Sequence, residues 1–198
     1  MEKIFYRSTR GGEDKISSSQ AILKGIADDG GLFVPNKIPK IDKSLEELSK
    51  MNYRELAYFV MSKFFTDFTE EELKTCIDRA YDSKFDTENI AEIKKVGDDF
   101  FLELYHGPTL AFKDMALSIL PHLLTTSAKK QNLNKEIVIL TATSGDTGKA
   151  ALEGFTNVDG TKIIVFFPEE GVSEIQKKQM VTHKGNNTYE IGRASCRE

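Results

Sequence analysis

Apolar residues recur at helical spacing through the first part of the chain and give way, after Asn89, to apolar runs of strand type. Ser17-x-x-Gln20 has the form of a capping box ahead of an apolar stretch over 21–27, which Asp28-Asp29-Gly30-Gly31 ends. Pro35 and Pro39 mark a loop. Over 44–65 the positions Leu45, Leu48, Met51, Leu56, Phe59 and Val60 keep helical spacing with one break near Asn52. Thr69-x-x-Glu72 caps a further helix, on which Leu73, Ile77, Ala80 and Tyr81 form one buried stripe. Cys76, beside that stripe, reads as a small buried thiol, and Phe59, Phe64, Phe65 and Phe68 read as core.

Three strands are predicted beyond that point, over 100–105, 136–143 and 162–167. A helix over 115–129 separates the first two, and a helix after Gly148 separates the last two. This alternation predicts βαβαβ parallel-sheet units behind a mainly helical N-terminal module, an α/β fold. Pro121 lies inside the first helical pattern and predicts a break there. Ser173-x-x-Gln176 is a third capping box and starts a crossover helix over 174–182; Gln176 is read as a cap with no catalytic role.

Two segments carry candidate chemistry. Lys113 stands in His106-Gly107-Pro108-Thr109-Leu110-Ala111-Phe112-Lys113-Asp114, where an apolar strand turns into a helix. Packing against Phe112 and Leu110 would disfavour the charged ammonium and leave an amine able to form a Schiff base with a carbonyl. The other reading of the same segment is a Gly-Pro turn leading into a helix whose first turn carries a solvated lysine and, in Asp114, an acid suited to a helix N-terminus.

The second segment is strand, glycine loop, helix: Thr143-Ser144-Gly145-Asp146-Thr147-Gly148 follows the run over 136–142. Its backbone N–H groups and hydroxyls converge at a helix N-terminus, which suits a phosphate or a carboxylate. A nucleotide P-loop is excluded, because Gly145 and Gly148 enclose two residues rather than four and Ala150 stands where Ser or Thr is required. Thr143 likewise stands where a dinucleotide fingerprint needs glycine. The Asp146 carboxylate repels a phosphate and is expected to face a donor such as a protonated phenol or imine. Lys149 reads as a solvated helix residue.

Composition narrows the function classes. The chain has 198 residues, 39% of them hydrophobic and 29% charged, which suits one large or two small globular domains. Its net charge of −4 comes from interspersed acids and bases, so nucleic acid and anionic membrane are not expected partners. Cys76 and Cys196 have no metal or redox spacing, no apolar signal core follows Met1, and no run reaches transmembrane length. A cytoplasmic location is expected. His106, His122 and His183 lack ligand spacing, and no metal site is expected. For His106 two readings stay open, a turn histidine bonded to backbone and a polar contact close to a cofactor.

Taken together, these segments resemble threonine synthase, a family of pyridoxal-phosphate enzymes with the tryptophan-synthase-β-like fold (fold type II). The resemblance is carried by Tyr6-Arg7-Ser8-Thr9-Arg10-Gly11, by Asp29-Gly30-Gly31-Leu32-Phe33-Val34-Pro35, by the Lys113 and Thr143 to Gly148 motifs, and by Phe167-Pro168 with Val172-Ser173-Glu174-Ile175-Gln176. It implies that Lys113 carries pyridoxal 5'-phosphate as a Schiff base, with Phe112 and Asp146 beside the cofactor. It implies that Thr143, Ser144, Gly145 and Thr147 hold the substrate carboxylate. The implied reaction converts O-phospho-L-homoserine and water to L-threonine and phosphate. A threonine-synthase-like phospholyase or another pyridoxal-phosphate lyase is the alternative within this class, although 6–11 and 28–35 argue against a hydroxy-amino-acid dehydratase. A non-catalytic anion-binding module using only the 144–148 loop is the alternative outside it.

The resemblance also implies a domain plan: a helical N-terminal domain over 1–92, the first part of the catalytic domain over 93–189, and a tail over 190–198. That tail departs from the family and reads like one frame of a sequencing adapter, so a truncated, non-native end is expected there. The phosphate cup and the partner of the pyridine nitrogen belong to the family's second half. The chain alone is therefore expected to be inactive and, with an unfinished sheet, to self-associate.

Overall fold

The computed structural model describes residues 3–143, 145–168 and 172–193. In chain order the elements are β1 (Tyr6–Ser8), α1 (Ser18–Lys24), β2 (Phe33–Pro35), α2 (Leu45–Ser49), α3 (Tyr53–Phe64), α4 (Glu70–Ala80), β3 (Glu92–Val96) and β4 (Asp99–Glu103). There follow α5 (Asp114–Leu117), α6 (Leu120–Lys130), β5 (Ile137–Ala142), α7 (Asp146–Phe155), β6 (Thr161–Pro168), α8 (Glu174–Val181) and β7 (Thr188–Arg193). They form two compact units, Met1–Ala80 with His122–Asn134, and Tyr81–Pro121 with Lys135–Glu198. The helical unit takes in most of α6.

Local signals build the helical unit. Ser17, Ser44 and Asn52 each accept a hydrogen bond from the backbone three residues on, and Gln20, Glu47 and Glu55 return it, so that three helices start on complete capping boxes. Thr69 and Glu72 exchange the same pair at the start of α4. The expected helix over 21–27 stops earlier, at Lys24, because Gly25 takes φ +74 and turns its N–H back to Ala21. On α4 the stripe is buried as expected, Leu73 and Ile77 at 1% exposure. α6 supplies buried Leu123, Leu124 and Ala128, Thr126 Oγ1 lies 3.4 Å from Cys76 Sγ, and Lys130 pairs with Glu72 at 2.9 Å. These contacts draw α6 into this unit. Burial pushes the Cys76 thiol up, as befits an inert core cysteine. Phe59, Phe64, Phe65 and Phe68 are only half-buried, contrary to expectation. Lys63 Nζ lies 4.7 Å from the Phe59 ring centroid, so a lysine stem and charge cover that ring in place of other core groups.

The two N-terminal motifs quoted above meet in space. β1 and β2 pair antiparallel, with Ser8 opposite Phe33, and Asp29 accepts hydrogen bonds from Ser8 Oγ (2.6 Å), Gly31 N–H (2.8 Å) and Gly12 N–H (2.8 Å). A Cβ on Gly31 would run into Ser8 Oγ, which is why glycine follows the aspartate there.

In the second unit β5, β6 and β7 form a parallel sheet in that order, joined through α7 and α8. This is the expected βαβαβ alternation, displaced by one strand. β4, expected as its first strand, instead forms an antiparallel hairpin with β3, because Gly97 takes φ +63 and closes a two-residue turn between Val96 and Asp99. Residues 190–193 continue β7 beside β6. Strands that follow one another without reversal, joined by right-handed crossovers, place both helices on one face. Ile163, Val165 and Phe167 on that face are buried. Opposite them Val138, Leu140, Tyr189 and Ile191 are 42–66% exposed.

Pro121 does interrupt the helix predicted over 115–129, but the break lies ahead of it, at Ser118 and Ile119. Proline has no N–H to offer the Leu117 carbonyl, so α5 ends and α6 begins with the proline in its first turn. Gly154 of α7 faces that same Leu117 carbonyl, and a Cβ there would collide with it.

Candidate active site

Lys113 is the residue that starts α5, with αR backbone angles and with its carbonyl accepting from Ala116 (3.2 Å) and Leu117 (3.0 Å). The loop before it is closed by Asp114, which is 2% exposed and accepts the Thr109 N–H at 2.8 Å and the Thr109 hydroxyl at 2.6 Å. Gly107 permits this, since a Cβ there would stand 2.5 Å from Asp114 Oδ2. Asp114 is thus a buried clasp, where its position alone suggested only a favourable charge at a helix N-terminus. Leu110 takes φ +59, a left-handed conformation costly for a branched side chain, one turn from the lysine.

The apolar neighbours do not enclose the amine. Phe112 is 58% exposed and Leu110 68% exposed, and Lys113 Nζ lies 4.8 Å from the Phe112 ring centroid. Successive side chains at the start of a helix point about 100° apart, so residues adjacent in sequence cannot by themselves wall in the lysine.

The second motif starts α7. Thr143 Oγ1 accepts the N–H groups of Gly145 and Gly148, both at 3.3 Å, and so satisfies part of the helix N-terminus itself. Gly148 lets the helix lie close on the sheet, because a Cβ would meet Thr143 Cγ2 and Val165 Cγ1. Asp146 and Thr147 are exposed at the first turn, and Gly145 is buried. Ser144 lies outside the described residues. The structure brings the two motifs' helices together through Leu117 and Gly154, so α5 packs on α7.

Comparison with known proteins identifies what the chain is similar to. The family described as "Threonine synthase N terminus" matches residues 5–81. The threonine synthase of Pseudomonas aeruginosa is 39% identical over 191 residues, covering 94% of this chain and 40% of the relative. The crystal structure of the yeast threonine synthase superposes with a TM-score of 0.87 at 34% identity, over 96% of this chain and 40% of that one. In sequence and in fold, the chain matches the N-terminal part of threonine synthases. The Brucella melitensis threonine synthase, solved with pyridoxal phosphate bound, superposes with a TM-score of 0.85 at 33% identity, over 95% of this chain and 40% of that one. The chain therefore spans about two fifths of the length of the threonine synthases it matches.

Against that threonine synthase background, three charged or polar residues acquire partners that their sequence context did not reveal. His106 stands between two carboxylates, Nδ1 at 2.6 Å from Asp86 and Nε2 at 2.9 Å from Glu103, rather than on backbone acceptors. The hydrogen bond to Glu103, then that to Asp86, raises its pKa. Lys149 is not a solvated helix lysine: its Nζ lies 2.9 Å from His183 Nδ1 and 3.6 Å from Glu153. Burial, and then the Lys149 charge, lowers the pKa of His183, whose Nε2 meets the Thr156 hydroxyl. Gln176 contacts Asp146 across thirty positions of sequence, at 3.0 Å.

A cavity of about 790 Å³ lies in the helical unit, lined among others by Met51, Arg54, Tyr58, Phe59, Lys63 and Asp78. None of the candidate site residues lines it, and its mixed charges converge on no reacting group, so the chemistry of the lysine and the glycine loop identifies the site better than its volume does. Among the described residues no group of three His, Cys, Asp or Glu could hold a metal. No helix among them is long and apolar enough to cross a membrane.

Proposed function

We propose that this chain is the N-terminal part of an enzyme that converts O-phospho-L-homoserine and water to L-threonine and phosphate, with pyridoxal 5'-phosphate attached to Lys113. The observation that carries this reading is the similarity to threonine synthases over 94% of the chain. The residues fit the cofactor: a primary amine at the start of a clasped helix, beside an exposed aromatic ring, suits a planar aldehyde. When bound, pyridoxal phosphate supplies an electron sink for the charge left at the substrate's Cα.

The chain's own residues do the rest. The Lys113 amine would take the substrate's Cα and Cβ protons and return protons at Cγ and Cα, while phosphate leaves from Cγ and water adds at Cβ. The loop at the start of α7, through Thr143, Ser144, Gly145 and Thr147, holds the substrate carboxylate. Asp146 and Phe112 would stand beside the cofactor, Asp146 as a hydrogen-bond acceptor for one of its protonated groups. Residues 1–92 are the helical domain and 93–189 the first part of the catalytic domain. The phosphate cup comes from the three fifths of the relatives' length that this chain does not span, so the 198-residue chain is inactive alone. The enzyme works in the cytoplasm on a small-molecule substrate, without nucleic acid or membrane as partner.

The test is borohydride reduction of the full-length enzyme with pyridoxal phosphate, followed by peptide mapping, beside an assay of phosphate release from O-phospho-L-homoserine by full-length and 198-residue forms. The label should fall on Lys113 and only the long form should turn over. A label on Lys149 would overturn the site, and equal turnover by the short form would overturn the reading of this chain as an inactive part.

A further inference from the structure

The glutamine of the Ser173 capping box reaches beyond its own helix. Gln176 Oε1 accepts the Ser173 N–H (3.4 Å) and the Ser173 hydroxyl (3.1 Å), while the Gln176 N–H donates to Ser173 Oγ (3.2 Å). This commits the amide oxygen to the start of α8. Nε2 is left on the far side and donates to Asp146 Oδ1 at 3.0 Å, in the first turn of α7. The same nitrogen would stand 2.6 Å from a Cβ on residue 145, so the amide occupies the space that glycine leaves. The orientation is determined from both ends, because a backbone N–H only donates and a carboxylate only accepts.

We propose that Gln176 is the positioning residue of the glycine loop: anchored by Ser173, its amide holds the Asp146 carboxylate in one orientation and seats against Gly145, so that α8 sets the geometry at the start of α7. Asp146 is itself exposed, and no other hydrogen-bond partner of its carboxylate is seen among the described residues. Without Gln176 its side chain would sample several rotamers. The inference rests on the reading of this loop as the face presented to cofactor and substrate. It assigns to the cap glutamine a second task, performed by the hydrogen atoms that the cap does not use.

Gln176→Glu separates the two tasks. Glutamate serves a capping box as well as glutamine does, so α8 keeps its cap, but a donor becomes a second carboxylate facing Asp146. Combining it with Asp146→Asn reverses donor and acceptor and restores the hydrogen bond. In the full-length enzyme, Gln176→Glu should lower kcat about tenfold, the scale of one charge-assisted hydrogen bond, with a smaller change in KM and undiminished borohydride labelling of Lys113. In the 198-residue chain, Gln176→Glu should lower the urea midpoint of unfolding and the reversed pair should recover it, while the full-length reversed pair, lacking the carboxylate, should not recover kcat. An unchanged kcat in Gln176→Glu, or a midpoint that the reversed pair does not recover, overturns the proposal. If the unsubstituted enzyme carries no label on Lys113, the functional reading falls by itself, and the midpoints still decide whether Gln176 holds Asp146.

Discussion

Thr109 gives Asp114 both its backbone N–H and its hydroxyl, at 2.8 and 2.6 Å, and this clasp closes the loop that delivers Lys113 to the start of α5. A carboxylate at 2% exposure that accepts two short hydrogen bonds leaves two buried donors stranded when it is removed. Asp114→Ala should therefore destabilise the chain by about 2–4 kcal/mol, and Asp114→Asn, which keeps the shape but weakens the acceptor, by about half as much. Urea unfolding measures both. An alanine variant as stable as the parent would show that the clasp holds nothing.

The close approach of α5 and α7 makes a second prediction. Gly154→Ala directs a methyl group at the Leu117 carbonyl, backbone that cannot swing aside, and should cost about 1–3 kcal/mol. Gly97→Ala meets no atom within 4 Å, but its φ of +63 should cost about 1 kcal/mol. The two should differ in kind as well as size. Gly154→Ala should also disturb the near-ultraviolet signal or amide shifts of α5, whereas the effect of Gly97→Ala should stay within the hairpin.

The two histidines of the second unit should titrate in opposite directions from the ordinary value of about 6.5. His106, raised by Glu103 and Asp86, contributes stability that is fully present below that value and is lost as pH rises through its folded pKa. Its partner Glu103, lowered chiefly by the hydrogen bond to His106, contributes stability above about 4.3, lost as pH falls through its own folded pKa. His183, lowered by burial and then by Lys149, binds its proton more readily unfolded, so stability falls as pH drops below about 6.5 toward its folded pKa. Imidazole nitrogen shifts followed by NMR should show His183 deprotonating first as pH rises. The reverse order would mean that the carboxylate clamp on His106 or the Lys149 contact on His183 does not exist in solution.

The uncovered sheet face predicts association. Val138, Leu140, Tyr189 and Ile191 lie exposed on one side of three parallel strands, and parallel sheets are stable when both faces are covered. The 198-residue chain should sediment as a concentration-dependent mixture of sizes. Leu140→Lys, which places a charge in the middle of that face, should shift it toward monomer without changing its helix content. Sedimentation as a monomer at high concentration, with the face unaltered, would count against this.

Much of the architecture is written in short-range pattern. The capping boxes at Ser17, Ser44, Asn52, Thr69 and Ser173 determine where helices begin, because each is a reciprocal exchange of hydrogen bonds within four residues. The runs at 137–142 and 161–168 are strands because β-branched and aromatic residues are concentrated there, and the family resemblance rests on residues contiguous in the chain. Tertiary structure decided what sequence neighbours cannot. Whether 99–103 joins the parallel sheet or folds back on 92–96 depends on a left-handed Gly97 and on competition between partners. Whether Phe112 desolvates Lys113 depends on what covers both, and His106 finds Asp86 twenty positions away because a hairpin returns the chain there. The cap of Gln176 was readable because it is local, and its hold on Asp146 was not, because a hydrogen bond across thirty residues exists only once two helices have been placed on one face of a sheet.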